Sequence, residues 1–186
     1  RSFGAPTESC GEVVFNTAIT GYQEVFTDPS YAGQIVVLTN PHIGNYGVMP
    51  EDSETGRPYI EGLVVREFSP IASNWRSQQQ AQEFLAEANI PVAAEIDTRR
   101  LVRHLRTRGV MRGVLATGPR DPQELVEKAR SIPSMAGLDL ASRVSTREAY
   151  QWEKGLERRL PSEPPDRPAE PRWHVVAYDF GIKRNI

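Results

Sequence analysis

Residues 11–47 read GEVVFNTAITGYQEVFTDPSYAGQIVVLTNPHIGNYG, and their pattern decides the fold class. Two strand-like runs, 12–15 (EVVF) and 34–39 (QIVVLT), flank a polar loop that holds Asp28, Pro29, Ser30 and Tyr31. A second polar, turn-rich stretch, Asn40-Pro41-His42-Ile43-Gly44-Asn45, follows the second run. Fixed polar loops on a rigid sheet edge are where binding residues tend to sit. Asp28-Pro29-Ser30-Tyr31 is a turn by local chemistry, because Asp bonds amides two residues ahead and Pro presets one backbone angle. It is either a plain structural turn or one that holds Ser30 so that its hydroxyl or amide orients a polar ligand. A hydroxyl is donor and acceptor at once, which suits an amide or a carboxylate. Thr20-Gly21-Tyr22-Gln23-Glu24 offers polar groups close by, with the same two readings.

Working outward, residues 62–65 (GLVV) form a third strand signal, rich in Val and bounded by turn residues. Ala81, Phe84, Leu85 and Ala88 then fall at the spacing of one helical stripe, stopped by Pro91. A short apolar run at 92–96 follows. Asp97 or Thr98 caps a second helix with Leu101, Val102 and Leu105 inward, closed by Gly109. Residues 113–117 read as another strand. A third helix starts at Asp121-Pro122 with Glu124 completing a capping box, and Leu125, Val126 and Ala129 supply its buried face. Ser145 and Glu148 repeat the capping signal for a short fourth helix through Ala149 to Trp152. Strands mixed with helices of this length indicate an α/β domain.

Composition shifts after Trp152. Pro161, Pro164, Pro165, Pro168 and Pro171 sit among charged residues, which predicts an extended linker. Residues 173–180 (WHVVAYDF) are a new buried-strand signature that ends at Gly181. A lone strand cannot bury its faces, so this run is expected to begin a second domain. A chain that opens on Arg1-Ser2 is expected to be a piece of a longer protein.

The 186 residues are 39% hydrophobic and 25% charged, with 22 Lys plus Arg against 24 Asp plus Glu. This balance lacks the basic footprint of a nucleic-acid binder. The densest basic cluster, Arg99, Arg100, Arg103, Arg106 and Arg108, reads as the solvated face of its helix. No apolar run approaches the roughly 20 residues needed to cross a bilayer, so no membrane role is expected. The single cysteine, Cys10, excludes an internal disulfide and fits a reducing compartment such as the cytoplasm.

Cys10 is the only candidate thiol nucleophile. It precedes a strand and no His lies nearby, whereas an activated Cys needs a base and often a helix amino terminus. His42, His104 and His174 lack metal-ligand spacing and have no Cys pair beside them, so no metal site is expected. His42 sits where a turn could present its ring. Gly181 follows a strand, but no further Gly and no Lys-Ser/Thr pair completes a phosphate loop.

Five ordered blocks carry a resemblance: residues 11–47 quoted above, EGLVVREFSPIASNWR, IPVAAEIDTRRLVRHLRTRG, GLDLASRVST and HVVAYDFGIKRNI. Together they resemble the carbamoyl phosphate synthetase small-subunit family over nearly the whole chain. The resemblance implies a swivelling β/β/α docking domain at 1–152, incomplete at its start, and a linker at 153–172. Residues 173–186 would be the first strand of a truncated class I glutamine amidotransferase domain. It implies glutamine hydrolysis by a Cys-His-Glu set, with ammonia passed to a large-subunit partner for carbamoyl phosphate synthesis in the arginine and pyrimidine pathways. That nucleophile belongs to a G-x-C-x-G turn with no counterpart here, so no catalytic residue is expected in this chain and the chain alone is expected to be inactive. By motif match Ser30 contributes to the glutamine site. No cofactor is expected on this part, while ATP and magnesium would be used by the large subunit. Two rival readings stand beside it: a non-enzymatic module that docks on a synthetase-like partner, and a swivelling domain carrying a phosphoryl group on His42.

Overall fold

The computed structural model describes residues 1–152 and 173–184; the linker expected at 153–172 lies outside them. The described chain runs β1 (Ser2–Gly4), β2 (Glu8–Asn16), α1 (Tyr22–Thr27), β3 (Gln34–Leu38), β4 (His42–Ile43), β5 (Gly62–Val64) and β6 (Glu67–Phe68). It continues through α2 (Ala81–Glu87), β7 (Pro91–Ala93), α3 (Thr98–Arg108), β8 (Met111–Ala116), α4 (Pro122–Ser131) and α5 (Ala141–Val144). The architecture is mixed α/β, the class that the alternating strand and helix signals indicate.

One six-stranded sheet has the order β1-β7-β5-β3-β2-β8. Its four inner strands are parallel, and antiparallel β1 and β8 close the edges. β4 and β6 pair in a separate two-stranded sheet. Parallel strands covered on both faces read as unbroken apolar runs, which explains Ile35, Val36, Val37 and Leu38. Alternate side chains point to opposite faces. Val36 and Leu38 join a core with Tyr22, Phe26, Leu63 and Leu85, whereas Ile35 and Val37 pack with Val64, Val102 and Leu105. α1 and α2 therefore cover one face and α3 the other. The arginines of α3 that the sequence assigns to a solvated face are all exposed.

Gly11 marks a close approach between backbones. A Cβ there would lie 2.6 Å from the Gly33 carbonyl oxygen, which accepts from the Glu12 amide at 3.2 Å. A larger residue would push β2 away from the turn that enters β3.

Several elements differ from the sequence expectations, and the short strands β1, β4 and β6 are additions to them. α1 replaces the loop expected around residues 20–24, and α2 stops at Glu87, where Asn89 adopts a left-handed φ of 60° before Pro91 opens β7. α4 forms where expected and rests mainly on edge strand β8, and Leu125 and Ala129 are half-buried while Val126 is exposed. The helix expected from Ser145 to Trp152 is absent. Asp139 accepts from the Ser142 amide and hydroxyl at 3.0 and 2.6 Å, so the turn starts earlier as α5, and Ser145 caps its carboxy end. Residues 173–179 have no ladder partner among the described residues, and Trp173, Val175, Val176 and Tyr178 are each at least 78% exposed.

α1 shows why local signals miss it. Every residue except Glu24 is buried, and its amino cap, Gly21, offers no side chain. The cap comes from Tyr46, whose hydroxyl accepts from the Gly21 and Tyr22 amides at 2.9 Å each. The Tyr46 ring stacks on Tyr22 at 4.0 Å between centroids, and the Tyr22 hydroxyl donates to the Gly47 carbonyl at 2.7 Å. Burial pushes both phenols above their ordinary range. One turn further, the buried Gln23 side chain accepts from the Met49 amide at 2.9 Å and donates to the Met49 carbonyl and to Ser53 Oγ. A buried backbone group left without its partner costs about 1–3 kcal/mol. Gln23→Leu is therefore expected to destabilise the fold by roughly 2–5 kcal/mol, since it strands both polar groups of Met49; urea denaturation against the parent chain measures it.

Candidate functional site

α1 hands its last residue directly to the Asp28-Pro29-Ser30-Tyr31 turn. Thr27, fully buried, donates its hydroxyl to the Gln23 carbonyl at 2.9 Å and accepts from the Glu54 amide at 2.9 Å. Thr55 Oγ1 donates to the Thr27 carbonyl at 2.6 Å. The turn is thus clamped at its root to the loop at 53–55.

Within the turn, residues Pro29–Tyr31 form a single 3-10 turn with Asp28 as its amino cap. Asp28 Oδ1 accepts from the Ser30 amide at 2.8 Å. Pro29 is buried and Ser30 is exposed. Tyr31 packs against the core and its hydroxyl accepts from Asn16 Nδ2 at 2.9 Å. The turn is held on both flanks with Ser30 at its exposed tip. Because Asp28 already takes the Ser30 amide, the Ser30 hydroxyl is the group left to meet a ligand.

The second described segment comes back to this same turn. Lys183 Nζ lies 2.7 Å from Asp28 Oδ2, and the Arg184 amide donates to the Glu54 carbonyl at 2.9 Å. The hydrogen bond to Asp28 pushes the Lys183 ammonium up from its ordinary value. A Cβ on Gly181 would sit 2.9 Å from Val144 Cγ2 and 3.3 Å from Pro29 Cβ, and its φ of +105° suits glycine. The segment lies flush against the turn.

Asp179 shapes that segment. Its Oδ1 accepts from the Gly181 and Ile182 amides at 2.8 Å each, and its Oδ2 accepts from the Tyr150 hydroxyl at 2.7 Å. Its carbonyl accepts from the Thr146 amide at 3.2 Å. The Arg184 guanidinium lies 5.9 Å from the centre of the Trp152 ring. Burial alone would raise the Asp179 carboxyl, but hydrogen bonds from Ile182, Tyr150 and Gly181 hold it below the usual carboxylate range.

The other sequence candidates lie elsewhere. Cys10 sits in the middle of β2, paired with Val114 of β8, where burial pushes its thiol up. A nucleophilic cysteine needs the opposite shift. His42 opens β4, exposed, with Nδ1 3.0 Å from the Glu67 carboxylate. His104 and His174 are exposed and distant in sequence from it. Among the described residues no three His, Cys, Asp or Glu side chains gather where they could hold a metal ion, and no helix is long and apolar enough to cross a membrane. A polar cleft of about 390 Å³ lies between the start of β2, residues 57–61 and the end of α2. It is away from Ser30.

The family model for the carbamoyl-phosphate synthase small chain, CPSase domain, matches residues 1–115. The chain belongs to the carbamoyl-phosphate synthase small chain family. It is 50% identical over 186 residues to the carbamoyl phosphate synthase small chain of Syntrophotalea carbinolica, covering all of this chain and 49% of that protein. The small chain of Thioalkalivibrio sulfidiphilus is 50% identical over 185 residues and covered to 48%. That of Vibrio vulnificus is 50% identical over 189 residues and covered to 49%. This chain spans about half the length of the curated relatives it matches.

The family match places the Ser30 turn inside the matched domain, while the segment that clasps it lies beyond residue 115. Sequence reading found Ser30 and Asp28 from local turn chemistry. It missed Tyr46, Thr27, Tyr150, Asp179 and Lys183, whose partners lie far along the chain. An Asp-Phe-Gly after an apolar run was the one available signal, since Asp readily accepts from amides two and three residues ahead.

The lowered Asp179 carboxyl fixes a pH window. A carboxyl whose folded value is depressed adds stability that is complete above its unfolded value of about 3.9 and is lost as pH falls through the folded value. Protection of the Gly181 and Ile182 amides from hydrogen exchange should therefore vanish on acidification below that window, and Asp179→Asn should weaken it at neutral pH.

Proposed function

We propose that this chain is the amino-terminal part of the glutamine-hydrolysing subunit of a carbamoyl phosphate synthase. In this reading residues 1–152 are the swivelling β/β/α domain that docks on a large synthetase subunit. Residues 153–172 are the linker, and residues 173–186 begin the class I amidotransferase domain. Glutamine is hydrolysed by a Cys-His-Glu set carried in the rest of the parent protein. The large subunit uses the ammonia with ATP and magnesium to make carbamoyl phosphate for arginine and pyrimidine synthesis in the cytoplasm.

The observation that carries the reading is the placement of Ser30. Its hydroxyl stands exposed on a turn fixed by Asp28, and residues 181–184 lie against that same turn. A serine in that position stands at the exposed tip of the turn against which residues 181–184 rest. There it can donate to a carboxylate or amide oxygen of glutamine, or accept from its amide nitrogen. The exposed Val175, Val176 and Tyr178 support the same reading, because a strand this apolar needs a sheet to cover it.

Ser30→Ala in the full-length parent, assembled with its large subunit, should weaken glutamine-dependent synthesis and leave ammonia-dependent synthesis near the parent level. Loss of a hydrogen bond to a charged ligand group costs roughly 1.5–3 kcal/mol, seen as a raised KM for glutamine. Equal loss of both activities would mean a docking or folding defect and would overturn the assignment of Ser30. Cys10→Ala should leave glutamine hydrolysis intact in the same assay, and its abolition would overturn the reading that the nucleophile lies outside this chain.

A further inference from the structure

We propose that Tyr150 is a positioning residue for the Ser30 turn, acting through the Asp179 turn that lies against Pro29. The inference rests on the reading of Ser30 as a glutamine contact and adds a residue that stands well outside the turn itself.

The path is continuous. The Tyr150 hydroxyl donates to Asp179 Oδ2 at 2.7 Å, leaving Oδ1 for the Gly181 and Ile182 amides at 2.8 Å each. Those two amides set the bend that carries Gly181 across Val144 and Pro29. From the bend, Lys183 reaches Asp28 and the Arg184 amide reaches the Glu54 carbonyl. Glu54 donates its own amide to Thr27 Oγ1, so residues 27 and 28 are bonded, directly or through Glu54, to residues 183 and 184. The result is a closed ring of contacts with the Ser30 turn on one side and the Asp179 bend on the other. A ring of this kind passes a displacement at the bend to the turn, because neither side can shift without breaking a bond in it.

Tyr150 is one of the points at which the Asp179 bend is anchored to the residues that precede position 153. Thr146, whose amide donates to the Asp179 carbonyl at 3.2 Å, anchors the same residue through its backbone. Tyr150 contributes the bond to the side chain, and that bond orients the carboxylate so that one oxygen faces both amides. Hydrogen bonds to a carboxylate are directional and stronger than neutral ones. Without it Oδ2 has lost its side-chain donor, and only the two amide bonds to Oδ1 hold the carboxylate in the plane that defines the bend.

The test uses the full-length parent assembled with its large subunit, and compares Tyr150→Phe, Ser30→Ala and the double variant. Tyr150→Phe keeps the ring and removes only the hydroxyl. It should raise the KM for glutamine about tenfold, equivalent to about 1.4 kcal/mol of binding, with kcat at saturating glutamine and ammonia-dependent synthesis retained. The double variant should be no worse in glutamine KM than Ser30→Ala alone, since Tyr150 acts through Ser30. Exchange of the Gly181 and Ile182 amides should quicken in Tyr150→Phe. An unchanged KM in Tyr150→Phe, or a double variant whose KM is the product of the two single effects, would overturn the positioning role. An unchanged KM in Ser30→Ala would instead overturn the glutamine assignment of Ser30 itself.

Discussion

A six-residue helix cannot hold itself together in water, because nucleating the first turn fixes three residues for one bond. α1 exists because the loop at 46–55 closes over it. Tyr46 supplies the amino cap that Gly21 lacks, Gln23 pairs with both backbone groups of Met49, and Thr27 accepts from Glu54. These polar groups lie inside the largest apolar cluster, beside Tyr22 and Phe26. There an unpaired group is costly and a paired one specifies a single arrangement. The sheet fixes where the helix lies, and the network fixes its rotation and its end. Since the Asp28-Pro29-Ser30 turn begins where α1 ends, the position of Ser30 is inherited from this network.

Two kinds of contact then hold the turn. Asp28 organises it from within by taking the Ser30 amide, and the segment at 179–184 braces it from outside. The outer brace is itself organised by Asp179. The two aspartates use the same device, a carboxylate split between a local amide and a distant donor, Lys183 for one and Tyr150 for the other. Each couples a piece of local geometry to a residue elsewhere in the fold. The cost of disturbing either is therefore felt in the other.

The inner strands were legible because unbroken Val/Ile-rich runs report directly on burial, and residues 34–38 show this most plainly, whereas the short strands β1, β4 and β6 carry no such run. α3 was legible from its cap, its stripe and its terminal glycine. α1 was not, because a helix buried on nearly every side has no polar face and so no period to detect. The fourth-helix signal at Ser145 and Glu148 failed because Asp139, six residues earlier, starts a turn first, and Ser145 serves that turn as its end. Of the candidate site, the turn that exposes Ser30 was legible since Asp28-Pro29 makes a turn without outside help. The braces from Tyr46, Asp179 and Lys183 were not, because nothing in local sequence tells a residue which distant carboxylate or amide it will meet.

The loss of the Ser30 amide to Asp28 has a consequence for how such a residue can act. An amide points one way and only donates. A hydroxyl on a fixed backbone turns about a single bond and can change from donor to acceptor without moving any other atom. A ligand that presents an N–H to the hydroxyl in one state and an oxygen lone pair in the next makes opposite demands in succession. Ser30 can follow such a change by rotation alone, so the rigidity that the surrounding ring of bonds imposes on the backbone does not make the contact itself rigid.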